Sequence, residues 1–233
     1  MAPFSIRRLV MLLDVVIPVR DVVEFLDAAI ESALTQQDVD VFITVIDAGS
    51  RQKVSLSEEH ASSQNVRLIR SEEPLTIGAA RNLGVASTTR THLAFLDADD
   101  IWPIDRSVRL LQAMRLADAE IAFGMVRHFS SSDCPMHVPE GVMKGFLAGA
   151  SLMSRMVFKS VGPFRTDFRV GEFVDWMSRL KRTGIPFTVT DDLALLRRVH
   201  VMSTTALASR SPAESRQDTH SDYLKIVRSW MNL

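Results

Sequence analysis

The chain has 233 residues, enough to bury a sizeable core in one large domain or two small ones. Its 27 Lys and Arg nearly balance its 28 Asp and Glu, so no global field points to a nucleic acid. The single cysteine, Cys134, excludes an intramolecular disulfide and a cysteine-rich zinc site.

At 46% hydrophobic and 24% charged residues, the composition is ordinary for a soluble globular protein. Cys134 reads as a bystander thiol in a loop rather than a nucleophile, and the expected compartment is cytoplasmic. Arg7 and Arg8, followed by a run from Leu9 to Leu13, imitate a signal peptide. Asp14 interrupts that run and no small-residue cleavage site follows, so it reads as the lead-in to a first strand. No apolar run approaches the ~18 residues that a membrane span needs.

Residues 12–19 are rich in β-branched residues and end at Ile17-Pro18-Val19-Arg20, which suits a strand terminus. Asp21 and Glu24 form a capping-box pattern, and Val22, Phe25, Leu26, Ala29, Ile30 and Ala33 follow at helical spacing. A second strand over 41–46 stops at Asp47-Ala48-Gly49-Ser50. A weaker helix is expected over 54–63 and a third strand over 66–69. A turn at Pro74 leads into a helix over 78–86, with Arg81 and Asn82 on a different face from Ala79, Ala80 and Leu83. A fourth strand climbs from Thr91 to Leu96, an amphipathic helix covers 104–117, and a further strand covers 120–129. This strand–helix alternation argues for a mostly parallel sheet with helices on both faces.

Residues 130–144 are polar, contain Pro135 and Pro139, and read as a mobile loop. The apolar stretch 145–158 is expected to pack on the sheet. A helix beginning near Glu172 and a short strand over 187–190 follow. Residues 209–222 are a polar segment, and 223–231 are expected to form a short docking helix through Tyr223, Leu224, Val227 and Trp230.

The fourth strand ends at Asp97-Ala98-Asp99-Asp100, three carboxylates within four positions. Such groups repel one another and resist desolvation unless a positive charge joins them. A divalent cation does this well, because hard cations take oxygen ligands. The bland alternative is a solvated acidic turn that caps the next helix.

Three strand ends thus carry special residues: Pro18-Val19-Arg20, Asp47, and Asp97-Ala98-Asp99. With Arg81-Asn82, they would converge on one sheet edge, where α/β proteins bind ligands. The set resembles the family 2 glycosyltransferases. The matching motifs run in order: Ile17 to Asp21, Ile46 to Ser50, the Gly78 to Gly84 helix with Arg81-Asn82, and Asp97-Ala98-Asp99. Val161 to Phe164, Gly171 to Trp176, and Arg198-Val199-His200 complete them.

The resemblance implies a GT-A fold, Rossmann-like, with a mostly parallel sheet flanked by helices in a single domain over residues 10–205. Residues 206–233 would be a polar linker and short C-terminal helix. It implies transfer of a sugar from a nucleoside-diphosphate sugar, a UDP-sugar first, with inversion. The acceptor would be a small molecule or peptide. By the same resemblance, Pro18, Val19, Arg20, Asp47, Arg81, Asp97 and Ala98 bind the nucleotide sugar. Asp99 and His200 would hold Mn²⁺ or Mg²⁺.

Asp175 is the preferred general base, with Glu172 orienting or substituting for it; the two are three apart and share a helix face. The sequence departs from the family pattern at Phe173, which replaces the second acid of the acidic motif, and at Ala48, which replaces a second Asp. Trp176 is either an acceptor-side wall or a core anchor. Other readings are a nucleotidyltransferase, a phosphatase, or a transferase scaffold that binds nucleotide or a partner without turnover. The first would want a glycine-rich basic loop after Val19 and the second a carboxylate pair on the first strand; neither is present. A second copy of the chain is a further candidate partner.

Overall fold

The computed structural model describes residues 11–131, 134, 138 and 140–201. The expected linker over 209–222 and the docking helix over 223–231 lie outside the described residues.

The strand β1 (Met11–Val19) lies between two parallel neighbours, β2 (Val39–Asp47) and β4 (His92–Phe95). A third parallel pairing adds β3 (Val66–Arg70) beyond β2. On the other side β7 (Ser151–Ser154) pairs antiparallel with β4 and with β5 (Ile121–Ser130). The short β6 (Val142–Lys144) pairs antiparallel with β5, whose opposite edge takes β8 (Phe187–Val199) in parallel. The sheet order is β3-β2-β1-β4-β7-β5-β6, with β8 against β5. Because β1 is buried on both sides, it reads as a nearly continuous apolar run rather than an alternating one.

The helices cover both faces. One apolar cluster joins Leu26, Ala29 and Ile30 of α1 (Leu26–Leu34) and Leu110 of α4 (Arg106–Leu116) to β1, β2 and β5. The other joins Ala80 of α3 (Ile77–Ala86), Phe158 of α5 (Arg155–Val161) and Trp176 of α6 (Glu172–Thr183) to Phe95 and Phe123. The remaining helix, α2 (Glu58–Ser62), is one turn long and is capped by the Ser57 hydroxyl.

Four local expectations are revised. Asp21 does not cap a helix: its φ is +62°, and its carboxylate accepts the Arg51 N–H at 2.8 Å across the sheet end. Aspartate tolerates that left-handed backbone better than most residues. The following helix starts only at Leu26. Within the polar 130–144 stretch, β6 adds an edge strand. The short strand expected over 187–190 continues to Val199, so the Arg198-Val199-His200 motif sits at the end of one long strand.

Trp176 is fully buried, donates its indole N–H to the Gly162 carbonyl at 3.0 Å, and serves as a core anchor. No helix among the described residues is long and apolar enough to cross a membrane.

At the opposite end of β1, Asp14 is buried and accepts from Arg155 Nη2 and from the Arg90 N–H, each at 2.6 Å. This pair ties β1 to the start of α5. Removing one partner of a buried pair strands the other charge. Arg155→Met should therefore cost about 3 kcal/mol in urea unfolding, the low end for such a loss because Arg90 remains. The double variant Asp14→Asn/Arg155→Met should recover part of that loss. Additive costs would show that the pair is not coupled.

Candidate functional site

The parallel strands β1, β2 and β4 deliver their C-terminal ends to one edge, and the expected residues gather there. A cleft of about 290 Å³ opens at this edge, lined by Pro18, Val19 and Arg20 from β1 and by Ala48 after β2. Pro74, Leu75, Thr76, Ile77 and Ala80 form its other wall, and Arg169 reaches it from the segment before α6. Gly49, at φ +79°, lets the chain at Glu73 and Pro74 close against the turn; a Cβ there would lie 2.6 Å from the Glu73 carbonyl oxygen. The Leu75 N–H then donates to the Ala48 carbonyl at 3.0 Å.

Asp47 stands behind this wall, 1% exposed. Its Oδ1 accepts the Ser50 N–H at 2.9 Å, and its Oδ2 accepts the Val54 N–H at 3.2 Å and a guanidinium N–H of Arg70. Burial pushes the carboxyl up, but these bonds outweigh it and hold it below the usual carboxylate value. Asp47 thus fixes the turn that carries Ala48, and both its oxygens are engaged.

Arg81 is the centre of the acidic side. It points from α3 beneath the end of β4, buried, with Nη2 donating to Asp97 Oδ1 at 2.7 Å and Nη1 donating to Glu172 Oε1. Burial opposes its charge and the two carboxylates more than restore it. Beside it, Asn82 grips Phe164 on both sides: Nδ2 donates to the Phe164 carbonyl at 2.8 Å and Oδ1 accepts the Phe164 N–H at 2.9 Å. Two adjacent helix residues therefore hold the acidic turn, the start of α6, and the turn after α5.

The end of β8 folds onto the same acidic turn. Ile101 bridges Leu196 backbone to backbone. The Arg198 N–H donates to Asp100 Oδ1 and its Nε donates to the Asp99 carbonyl, each at 2.9 Å. The Arg198 guanidinium lies between the rings of Phe25 and Phe129, 4.3 and 4.5 Å from their centroids. His200 Nε2 then meets Asp99 Oδ2 at 3.1 Å. Burial, followed by repulsion from neighbouring carboxylates, pushes Asp99 up and Asp100 well up, against the bonds from His200 and Arg198. Asp97 is the most exposed of the three, with 40% of its side chain open. Ala98 between them is buried.

No group of three or more His, Cys, Asp or Glu converges as a metal cage among the described residues. The donor set nevertheless fits a hard divalent cation in one way. Asp99 Oδ2 and His200 Nε2 lie 3.1 Å apart, close enough for one oxygen and one nitrogen to share an ion, and neighbouring carboxylates crowd the acidic turn. Mg²⁺ is commonly held by one or two carboxylates plus phosphate oxygens of a substrate, so two protein ligands suffice.

The two acids of α6 differ in surroundings. Glu172 touches Arg81 and so lies one contact from Asp97. Asp175, one turn on, is buried with Oδ2 accepting from Arg179 Nε at 3.0 Å, and Arg179 also donates to the Val161 and Pro163 carbonyls. Phe173 is buried between them and the core, stacked on Trp176 with ring centroids 5.8 Å apart. Sequence reasoning passed over Asn82, Asp100 and the sandwiched Arg198 as working parts. Their local signals are the Arg-Asn and Arg-x-His spacings and the acidic run at 97–100; the contacts themselves are not legible there, because the partners are 82 to 99 residues away.

The fold is shared with solved structures of S. aureus TarS. S. aureus TarS (residues 1–349), in complex with UDP-GlcNAc, superposes with a TM-score of 0.74 over 95% of this chain and 67% of that chain, at 12% identity. Among curated proteins, an uncharacterized glycosyltransferase of Nostoc sp. is 28% identical over 53% of this chain and 38% of its own length. The succinoglycan biosynthesis protein ExoO of Rhizobium meliloti is 35% identical over 40% of this chain and 27% of its own. The chain therefore matches well under half the length of these curated relatives. The family model for glycosyl transferase family 2 matches residues 14–198. With that match spanning β1 to the end of β8, the chain belongs to glycosyl transferase family 2.

Proposed function

We propose that this protein transfers a glycosyl group from a nucleoside-diphosphate sugar, a UDP-sugar first, to a small-molecule or peptide acceptor, with inversion and with a divalent cation. The observation that carries the reading is the convergence at one sheet edge of an apolar cleft and the Arg81–Asp97–Glu172 ion-pair cluster. That TarS is seen with UDP-GlcNAc supports the choice of donor.

In this reading the base and ribose occupy the cleft between Val19, Ala48 and Ile77, and Arg20 and Arg169 flank it. With Asp47 committed to its own turn, backbone groups and these arginines contact the base, while Asp47 keeps Ala48 in place. A bound Mn²⁺ or Mg²⁺ supplies positive charge against the leaving diphosphate, and Asp99 and His200 would hold it. Arg81 keeps Asp97 oriented towards the ribose and fixes Glu172 beside it.

In the displacement, an acceptor oxygen forms its bond to the anomeric carbon as the bond to the diphosphate oxygen breaks, and the electron pair leaves with the diphosphate. The acceptor proton needs a carboxylate within hydrogen-bond reach. The sequence favoured Asp175. Its burial beside Arg179 argues for a bracing role, and the position of Glu172 beside the Arg81–Asp97 pair favours Glu172 as base. A second reading, binding without turnover, draws on one feature: Phe173 fills the core where family members carry an acid.

Calorimetric titration of UDP, GDP, CDP and ADP with and without Mn²⁺ tests the donor. Metal-dependent binding of UDP is expected, and binding of none would overturn the proposal. Asp99→Ala should abolish the metal dependence; a variant that binds UDP and Mn²⁺ like wild type removes Asp99 from the site. Glu172→Gln should bind UDP within about threefold of wild type yet lose about two orders of magnitude in UDP-GlcNAc turnover, the usual scale for a lost general base. Asp175→Asn should lose stability before turnover. The reverse pattern would return the role to Asp175. Tight UDP binding with no turnover by wild type on any acceptor would favour the binding scaffold.

A further inference from the structure

Arg106 opens α4 and is fully buried at 0% exposure. Unlike Arg81, it has no carboxylate against it among the described residues, and burial alone pulls its guanidinium down to about 9. Its Nε has no partner. Its Nη2 donates to the carbonyl of Ser151 and, at 3.4 Å, to that of Gly149. The guanidinium stacks 3.8 Å over the ring of Trp102, whose indole N–H donates to the same Gly149 carbonyl at 2.9 Å.

Trp102 follows the acidic turn directly, two residues after Asp100, and its own N–H donates to Ser32 Oγ at 3.2 Å. Gly149 lies in a 3-10 turn, Ala148–Ala150, that runs into β7. Ala148 packs in the same apolar cluster as Phe173 and Trp176 of α6. One buried cation thus connects the acidic turn to the layer that carries Glu172.

A lone buried cation is a poor way to gain stability. Apolar side chains of similar volume often match or exceed even a paired buried charge. A charged fork does what an apolar chain does not: it fixes two carbonyls at set positions. We propose that Arg106 is a positioning residue for glycosyl transfer, riveting with Trp102 the 148–151 turn to the 97–102 turn and so setting α6 against the donor. This rests on the donor site proposed above.

The test uses the full chain with Arg106→Met and Arg106→Lys. Arg106→Met should keep or raise the Tm and bind UDP with Mn²⁺ within about threefold of wild type. Its kcat for UDP-GlcNAc hydrolysis should fall about tenfold or more at unchanged KM, since ångström-scale misplacement of reacting groups can cost 10²-fold. Arg106→Lys, which can still donate to the carbonyls, should recover part of the rate. A lower Tm with kcat unchanged would make Arg106 merely structural and overturn the proposal. Should wild type leave UDP-GlcNAc intact, the donor choice fails, and hydrogen exchange decides the positioning role. Faster amide exchange in 97–102 and 148–151 of Arg106→Met, with β1–β3 unchanged, would sustain it; unchanged exchange in both turns would overturn it.

Discussion

The site depends on the Arg81 fork. A guanidinium offers five donors in a fixed plane, so one side chain holds carboxylates from two elements that are distant in sequence. Asp97 ends the β4 run and Glu172 begins α6, and Arg81 bridges the two carboxylates. A lysine would offer a point charge and lose one of the two contacts. The adjacent Asn82 adds the turn at Phe164, and Ile77 and Ala80 of the same helix line the cleft. At 3.6 residues per turn, consecutive positions point about 100° apart. The short α3 therefore wedges between cleft, acidic turn and α6, and joins all three.

Much of this was legible in the sequence where the signal was local. Buried parallel strands announce themselves as β-branched runs, and β1, β2 and β4 did so within a residue or two. The convergence of Asp97, Asp99, Arg81 and His200 followed from strand-end spacing and the family motifs. What failed was non-local. Asp21 looks like a helix cap until Ser50 and Arg51 arrive from β2: its N–H donates to Ser50 Oγ at 3.0 Å and its carboxylate takes the Arg51 N–H. The apolar pattern of β8 is broken by Asp191 and Asp192, so only 187–190 reads as a strand. In the fold Asp192 pairs with Arg109 of α4 at 3.2 Å, and the strand continues past it through a shift of register against β5.

Phe173 shows how one position trades chemistry for packing. On α6 it faces the core, between Phe123, Phe164 and Trp176. A carboxylate in that aromatic cluster would be desolvated with no cation beside it, since Arg81 already serves Glu172 and Arg179 already serves Asp175. The phenyl ring adds edge-on and stacked contacts instead, each favourable beyond simple burial. The two remaining acids of the helix are then not equivalent. Asp175 is braced against the turn that carries Val161 and Pro163, whereas Glu172 shares its arginine with the acidic turn.

The charge balance of that turn points the same way. Asp97 shares Arg81 with Glu172, Asp99 meets an imidazole, and Asp100 accepts a backbone N–H. Burial first, and then repulsion from the neighbouring carboxylates, pushes the last two up, as expected where acidic groups are in surplus over fixed cationic partners. A bare diphosphate would add to that surplus and be repelled. In the proposed reading, Asp99 and His200 would hold a divalent cation whose charge would offset that surplus, an effect that low-dielectric surroundings would strengthen. The sandwiched Arg198 keeps the turn rigid through this exchange without spending its charge on a carboxylate: it holds the Asp99 carbonyl and leaves the Asp99 side chain directed at His200. Rigidity of the backbone and the charge balance of the side chains are thus set by separate groups.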